Sequence, residues 1–468
     1  MTWIHAFEWA ALSYLAFVIG SYAFTSLAAL VPLVRLRLRA DHFHTAEAVA
    51  AASAPPVTLL VPMYNESAVC VESVRALLGV AYPTREVLVV NDGSSDDTVA
   101  RLVEAFDLVE TPRLPVSALP TAPVRAVYHS RTRPDLWLLD KANGGKADAL
   151  NAGLAYCRTP LFCMLDGDSL LAPDALLRAA QPFLEDATTV AVGGTIGVAN
   201  GATVRGGLVT DVRMPRSWLA RFQALEYLRA FAASRTGWSS FNGLLIVSGA
   251  FGLFRREPVV AIGGLDDASV GEDMELVVRL HRYHLKSGTP YRVAYAPDAV
   301  SWTEVPESMR VLGRQRDRWH RGLAQVLWRH RRMLFRRTYG RIGWLSVPVF
   351  VLVELLGPVA ELVGLLALLV LGSLGAIGWP IAGMMYLLAL VLGVAQSLSA
   401  VALEQLAFRR YTRTSDLVLL LGLAVLENFG YRQLTVFWRL RGLVGFIRKD
   451  KTWGEMTRTG FNLGPTAS

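Results

Sequence analysis

The sequence predicts an α/β domain carried by membrane helices, and three observations support it. Short apolar runs of strand type alternate with helix-length segments through the middle of the chain. Polar signatures sit at the ends of those runs, and long apolar segments gather towards both termini. With 468 residues, 53% hydrophobic content and a mean hydropathy of +0.35, the chain holds more apolar material than a soluble domain needs.

At about 1.5 Å per helical residue, the apolar run 6–34 is long enough to cross a hydrocarbon core of ~30 Å. A cleaved signal peptide is the competing reading, but the basic n-region is missing and Arg35, Arg37 and Arg39 follow the apolar run. Residues 1–40 are therefore read as a transmembrane signal-anchor. The positive-inside bias puts the N-terminus outside and the rest from Arg35 onward in the cytoplasm.

After an Ala-rich linker, the strand-like run 57–61 ends at Pro62-Met63-Tyr64-Asn65-Glu66. A helix-like segment and a second strand, 86–90, then deliver Asn91-Asp92-Gly93-Ser94. Ligands of open α/β sheets bind beyond the carboxyl ends of strands, which is where Asp92 stands. Residues 107–123 read as a loop, 124–128 and 137–139 as short strands, and Asn143-Gly144-Gly145-Lys146 as the opening of a helix. The run 161–165 is a further strand, ending at Asp166. Such alternation favours a mostly parallel sheet with helices on both faces, in a domain taken to span 57–305. Within it, residues 216–234 place Trp218, Phe222, Leu225 and Leu228 at helical spacing, as a helix docking on the membrane or on the last helices would.

Residues 306–341 are basic and read as interfacial helices, and 342–447 as membrane helices. Apolar stretches at 344–373 and 378–408 are long enough to cross, while a third, 417–447, is broken by Glu427, Asn428, Gly430 and Arg432. A simple crossing there would put Arg439, Arg441, Arg448, Lys449 and Lys451 outside, so a bent or re-entrant segment with a cytoplasmic tail (448–468) is favoured. The formal net charge is +8, with the basic residues crowding between Arg310 and Arg341 beside an apolar span. That placement suits anionic lipid headgroups, at about 1 kcal/mol per juxtamembrane Lys or Arg, and not nucleic acid. Cys70, Cys157 and Cys163 are too few and too scattered for a disulfide framework or a zinc site.

The signatures carry the chemistry. Asp166-Gly167-Asp168 presents two carboxylates after a buried strand, a donor set for a hard cation, Mg²⁺ or Mn²⁺, whose remaining positions go to water and a diphosphate. Lys146, at a helix start after two glycines, can hold an anionic donor alongside backbone N–H groups. Glu272-Asp273 opens a helix, where carboxylates are commonly dipole partners; the functional alternative is a base beside an acceptor hydroxyl. In Gln315-Arg316-Asp317-Arg318-Trp319, helical geometry puts Gln315, Arg318 and Trp319 on one face. There a guanidinium can grip diphosphate and an indole can stack on a sugar, or the segment is an interfacial helix with Trp319 in the headgroup belt.

At these residues the chain resembles the family-2 glycosyltransferases, within them the membrane-integrated cellulose, hyaluronan, chitin and poly-N-acetylglucosamine synthases. The resemblance covers about 57–341 and extends into the membrane segments. It implies a GT-A (Rossmann-like) fold with flanking transmembrane and amphipathic interfacial helices. It also implies donor contacts at Tyr64, Glu66, Asp92, Lys146, Asp166 and Arg318, a metal pair at Asp166 and Asp168, and the general base at Asp273, where Gly-Glu-Asp replaces Thr-Glu-Asp. Acceptor contacts are implied at Ser248, Gly249, Glu272, Gln315 and Trp319, and a gating element at Trp453 and Arg458, although Glu455 stands where that element has Thr. The expected activity is inverting, metal-dependent transfer from a UDP-sugar, with N-acetylglucosamine the leading candidate, to a growing polysaccharide. Single transfer to a lipid-linked acceptor is the nearest alternative. From another class, a non-catalytic polysaccharide-conducting subunit would account for Glu354, Glu361, Glu404 and Glu427 in apolar segments, as would pairing between helices with residues such as Arg432.

Overall fold

A computed structural model of the chain describes residues 2–39, 52–205 and 207–449. Trp453 and Arg458 lie outside the described residues. Two compact units are formed: an α/β unit from 52–215 and Asn242–Val305, and a helical unit from 2–38, Arg216–Phe241 and 306–449. Residues 216–241 thus interrupt the expected 57–305 domain and belong with the helices, for a reason visible in their side chains. Phe222 stacks on Tyr431 with ring centroids 4.7 Å apart, and the pair joins a core of Leu312, Tyr431 and Trp438.

The α/β unit is built on a ten-stranded sheet in the order β3-β4-β5-β2-β1-β6-β11-β8-β12-β7. Its centre is parallel: β5 (Leu136–Lys141), β2 (Arg85–Asp92), β1 (Val57–Met63) and β6 (Leu161–Leu165) run alike. β6 reads as an unbroken apolar run, and β1 as one interrupted only by the buried Thr58, because both of their faces are covered. The sheet as a whole is mixed rather than mostly parallel. The crossover through the helix Ala175–Glu185 sets β8 (Thr189–Val198) parallel to β6 but leaves a gap of one strand between them. β11 (Phe251–Arg255) fills that gap antiparallel to both neighbours. β3 (Leu108–Glu110) and β4 (Val124–Ser130) extend the β5 edge as antiparallel strands, and β12 (Arg292–Thr303) pairs parallel with β8 and antiparallel with β7 (Leu170–Leu171). β9 (Thr203–Arg205) and β10 (Leu208–Asp211) form a separate two-stranded ribbon.

In the helical unit, Phe7–Leu38 and Trp379–Ala407 are each long and apolar enough to cross a membrane. The stretch expected to cross at 344–373 is bent, with Ile342–Leu355 and Gly357–Ser373 meeting at 46°. The cause lies at Gly357-Pro358, where proline lacks the N–H that would continue the ladder and opens a new helix. The third stretch bends by 60° between Thr414–Leu426 and Tyr431–Ile447, at Gly430 with φ +98°. Each acid flagged in the apolar segments has a protein partner. Arg432 Nε meets the Glu361 oxygens at 3.0 and 3.1 Å, Glu427 pairs with Arg229 and accepts from Ser397 Oγ at 2.5 Å, and Glu354 accepts from Tyr22 Oη at 3.3 Å and from Arg439. Glu404 accepts from the Arg410 N–H at 2.9 Å and from Gln405 Nε2 at 3.0 Å. Pairing between side chains thus accounts for these groups.

Candidate active site

The α/β unit gathers its polar signatures at the carboxyl ends of β1, β2 and β6. Beyond β1, Asn65 adopts a left-handed conformation (φ 53°) that lets its loop tie into the one following β2. Its N–H donates to Ser94 Oγ at 2.9 Å, and its Oδ1 accepts from the Ser95 N–H at 2.8 Å. The Glu66 N–H donates to Thr98 Oγ1 at 3.0 Å and the Ser67 N–H to Asp96 Oδ2 at 3.0 Å. Tyr64 and Glu66 therefore stand on a loop with fixed geometry, and the Tyr64 ring is half exposed.

Asp92, at the end of β2, is buried and fully engaged. Its Oδ1 accepts from Lys141 Nζ at 2.7 Å and the Gly144 N–H at 3.0 Å, its Oδ2 from the Gly145 N–H at 2.7 Å, and its carbonyl from Asn143 Nδ2 at 2.8 Å. The side chain predicted from sequence to contact the donor thus binds the Asn143–Lys146 turn. That turn tolerates nothing larger: a Cβ on Gly144 would strike the Asp148 carboxylate, and one on Gly93 would come within 2.6 Å of the Asn143 nitrogen. Gly145, at φ +90°, then turns the chain into the helix Lys146–Tyr156.

Lys146 is the first residue of that helix and reaches across to three carboxylates. Its Nζ lies 2.5 Å from Asp166 Oδ1 and 3.7 Å from Glu272 Oε1, and a Cβ on Gly249 would sit 3.3 Å from the same Nζ and 3.6 Å from Asp273 Cβ. Burial favours a neutral lysine here, but the opposing charges of Asp166, Glu272 and Asp273 outweigh it and hold the ammonium above its ordinary pKa. Burial also raises the Glu272 carboxyl, against the pull of Lys146 and with the neighbouring Asp273 charge adding to the rise. Asp273 accepts from the Gly249 N–H at 3.2 Å through Oδ2 and from the Met274 N–H at 2.7 Å through Oδ1. The Ser248-Gly249 turn enters β11 and so aims this carboxylate. The sheet thus brings Lys146, Asp166, Gly249, Glu272 and Asp273 into one cluster.

Asp166 and Asp168 flank a turn in which the Ser169 N–H donates to the Asp166 carbonyl at 3.0 Å and Ser73 Oγ to the Gly167 carbonyl at 2.5 Å. Two hard oxygen donors on a pinned turn fit Mg²⁺ or Mn²⁺. Among the described residues no three His, Cys, Asp or Glu side chains gather to hold an ion alone, so the other ligands would come from the donor and from water.

Gln315, Arg318 and Trp319 belong to the helical unit, on the helix Met309–Arg329, with Trp319 45% exposed. Sequence reasoning passed over Arg316 between them. It is buried, donates to Glu226 Oε2 at 2.8 Å beside the Tyr431 hydroxyl, and lies 4.4 Å from the centroid of the Trp319 ring. Reasoning from sequence also missed Lys141 and Asp148. A lysine closing a strand, three residues before the Gly144-Gly145 pair, was the available signal.

Known proteins place this geometry. The profile of the family described as "Glycosyltransferase like family 2" matches residues 55–322, and the chain belongs to that family. Over these residues it carries the family's glycosyltransferase domain, with a GT-A-like fold. The chain is 26% identical over 274 residues to a poly-β-1,6-N-acetyl-D-glucosamine synthase of Staphylococcus epidermidis, covering 58% of this chain and 56% of that protein. It is 27% identical, with the same coverage, to the synthase of that name from Staphylococcus aureus strain N315, so it spans little more than half the length of these relatives. Among solved structures, a mannosyltransferase from Pyrobaculum calidifontis (PcManGT) in complex with GDP-Man and Mn²⁺ matches with a TM-score of 0.50 at 19% identity. The match covers 92% of this chain and 100% of that one, and it shows the shared fold.

Proposed function

We propose that the chain transfers a sugar from a UDP-sugar, N-acetylglucosamine being the leading candidate, to a growing polysaccharide at the cytoplasmic face of a membrane. The supporting observation is the cluster of Lys146, Asp166, Glu272 and Asp273 beside the Gly249 turn, three carboxylates around one ammonium. Its excess negative charge suits a site completed by a divalent cation and an anionic donor. The relatives named poly-β-1,6-N-acetyl-D-glucosamine synthases favour the choice of sugar.

In the mechanism that follows, Lys146 and the first N–H groups of its helix hold the donor diphosphate. Asp273, aimed by the Gly249 N–H, takes the proton of the acceptor hydroxyl as that oxygen attacks the anomeric carbon. The glycosidic bond to UDP breaks from the opposite face, giving a β-linked product from an α-linked donor. Glu272 lies beside the acceptor, while Tyr64 and Glu66 face the uridine. On the resemblance alone, Gln315 and Trp319 are assigned to the acceptor end and Arg318 to the diphosphate. A divalent cation held by Asp166 and Asp168 would neutralise charge on the departing diphosphate.

In the proposed topology, Phe7–Leu38 crosses with its N-terminus outside, the α/β unit is cytoplasmic and the arginines of 310–341 face anionic lipid. Export of the polymer would be coupled to synthesis. The test is purified full-length protein supplied with a panel of radiolabelled UDP-sugars with Mg²⁺ and with Mn²⁺, the product being sized on a gel. A long product from UDP-N-acetylglucosamine is expected. A single sugar added to lipid would replace this reading with the lipid-acceptor one.

A further inference from the structure

We propose that Lys141 is a positioning residue of the donor site, setting the turn that delivers Lys146 and the helix N–H groups to the donor diphosphate. This rests on the donor-site reading above. Lys141 is the last residue of β5, and its side chain is fully buried. No ligand can touch its ammonium; its three contacts are Asp92 Oδ1 at 2.7 Å, Asp148 Oδ1 at 2.5 Å and the Ala142 carbonyl at 2.6 Å. Burying a lysine is costly, and a lysine placed only for packing is better served by an apolar residue of similar length. This ammonium instead joins the three pieces of backbone that define the turn. Through Asp92 it reaches the end of β2 and the N–H groups of Gly144 and Gly145, and through Asp148 the first turn of the helix Lys146–Tyr156 and the Ala122 N–H at 3.0 Å. Without it, two carboxylates would face each other across the Gly144 backbone. Their repulsion would open the turn on which the Lys146 ammonium depends to reach Asp166.

The experiment compares UDP binding by calorimetry, in Mn²⁺, with donor KM and kcat for purified full-length Lys141→Met, Lys141→Arg, Asp148→Asn and Lys146→Ala. Lys141→Met is expected to raise the UDP Kd and donor KM by about tenfold or more while kcat at saturating donor changes by less than about threefold, and Lys141→Arg to recover most of the loss. Wild-type UDP affinity and KM in a folded Lys141→Met protein, whatever its melting temperature, would overturn the assignment. Should Lys141→Met fail to fold, Asp148→Asn decides: a threefold or larger rise in UDP Kd supports the assignment, and an unchanged Kd overturns it. Lys146→Ala is the reference. Wild-type UDP affinity there would overturn the donor-site reading and the Lys141 role with it; weakened binding there beside unchanged binding in Lys141→Met would overturn the Lys141 role alone.

Discussion

The helical unit and the candidate site of the α/β unit treat charge in different ways. In the helical unit, acids and arginines pair nearly one to one: Glu226 with Arg316, Glu427 with Arg229, Glu361 with Arg432 and Glu354 with Arg439. Arginine suits this work because its fork holds a carboxylate with geometry as well as charge. In the α/β unit, Asp166, Glu272 and Asp273 share the single ammonium of Lys146. Balanced pairs hold helices together, whereas an unbalanced cluster is poised for a ligand that brings positive charge or demands it. The contrast teaches that charge matched pair by pair holds helices together, while the acids gathered on the partly exposed Lys146 mark the chemistry; Asp92 and Asp148 share Lys141 as well, but out of a ligand's reach.

The largest effect expected from this contrast is loss of transfer on removing divalent ions. Chelation should abolish sugar transfer while leaving the melting temperature of the helical unit unchanged, and Mn²⁺ or Mg²⁺ should restore activity; full activity in chelator would break the comparison on its catalytic side. Next in size is a pair of matched substitutions. Glu272→Gln should lower transfer by about tenfold or more with no loss of thermal stability, since a buried acid whose pKa is raised by desolvation gains nothing from its charge. Glu226→Gln should do the reverse, costing about 1–3 kcal/mol of stability by leaving Arg316 short of its partner. Equal effects of the two on turnover would remove the distinction drawn here.

These contrasts were only partly legible in the sequence. The apolar periodicity placed Asp166 at the end of a strand and Asp273 at the start of a helix, but their roles came from the resemblance, because a carboxylate in a first helical turn reads equally as a dipole partner. Asp92 was placed correctly at the end of β2, but its partners were not legible, since Lys141 and Gly144 reach it only through sheet register. The direction of β11 was hidden for a similar reason: the segment before it, 216–241, leaves the α/β unit, so no crossover rule governs its return. Arg316 was passed over because a charged residue between Gln315 and Arg318 reads as solvated until Glu226 and the buried Tyr431 are seen beside it.

Smaller effects sharpen the picture further. Trp319→Ala should raise the acceptor KM severalfold while leaving UDP affinity within about twofold, because its exposed ring is assigned to the sugar end. The smallest effect is a pH dependence away from the cluster. His281 is buried between the Tyr291 hydroxyl and the Leu244 carbonyl, each at 2.8 Å, and desolvation lowers its pKa from the ordinary 6.5 to about 4. The folded state therefore keeps it neutral where the unfolded chain takes up a proton. Stability should be flat above pH 7 and fall as pH drops from 6.5 towards 4, by at most about 3 kcal/mol. Melting curves followed by tryptophan fluorescence would show this, and His281→Gln should flatten the slope.

The most direct measurement is Asp273→Asn in the purified full-length protein, with UDP binding and sugar transfer measured on the same sample. UDP affinity within about twofold of wild type, with transfer reduced by ~10²–10⁴-fold, is the predicted result, because the substitution removes a base and leaves the donor cradle of Lys146 and Asp166 in place. Transfer at the wild-type rate from that variant would contradict the account.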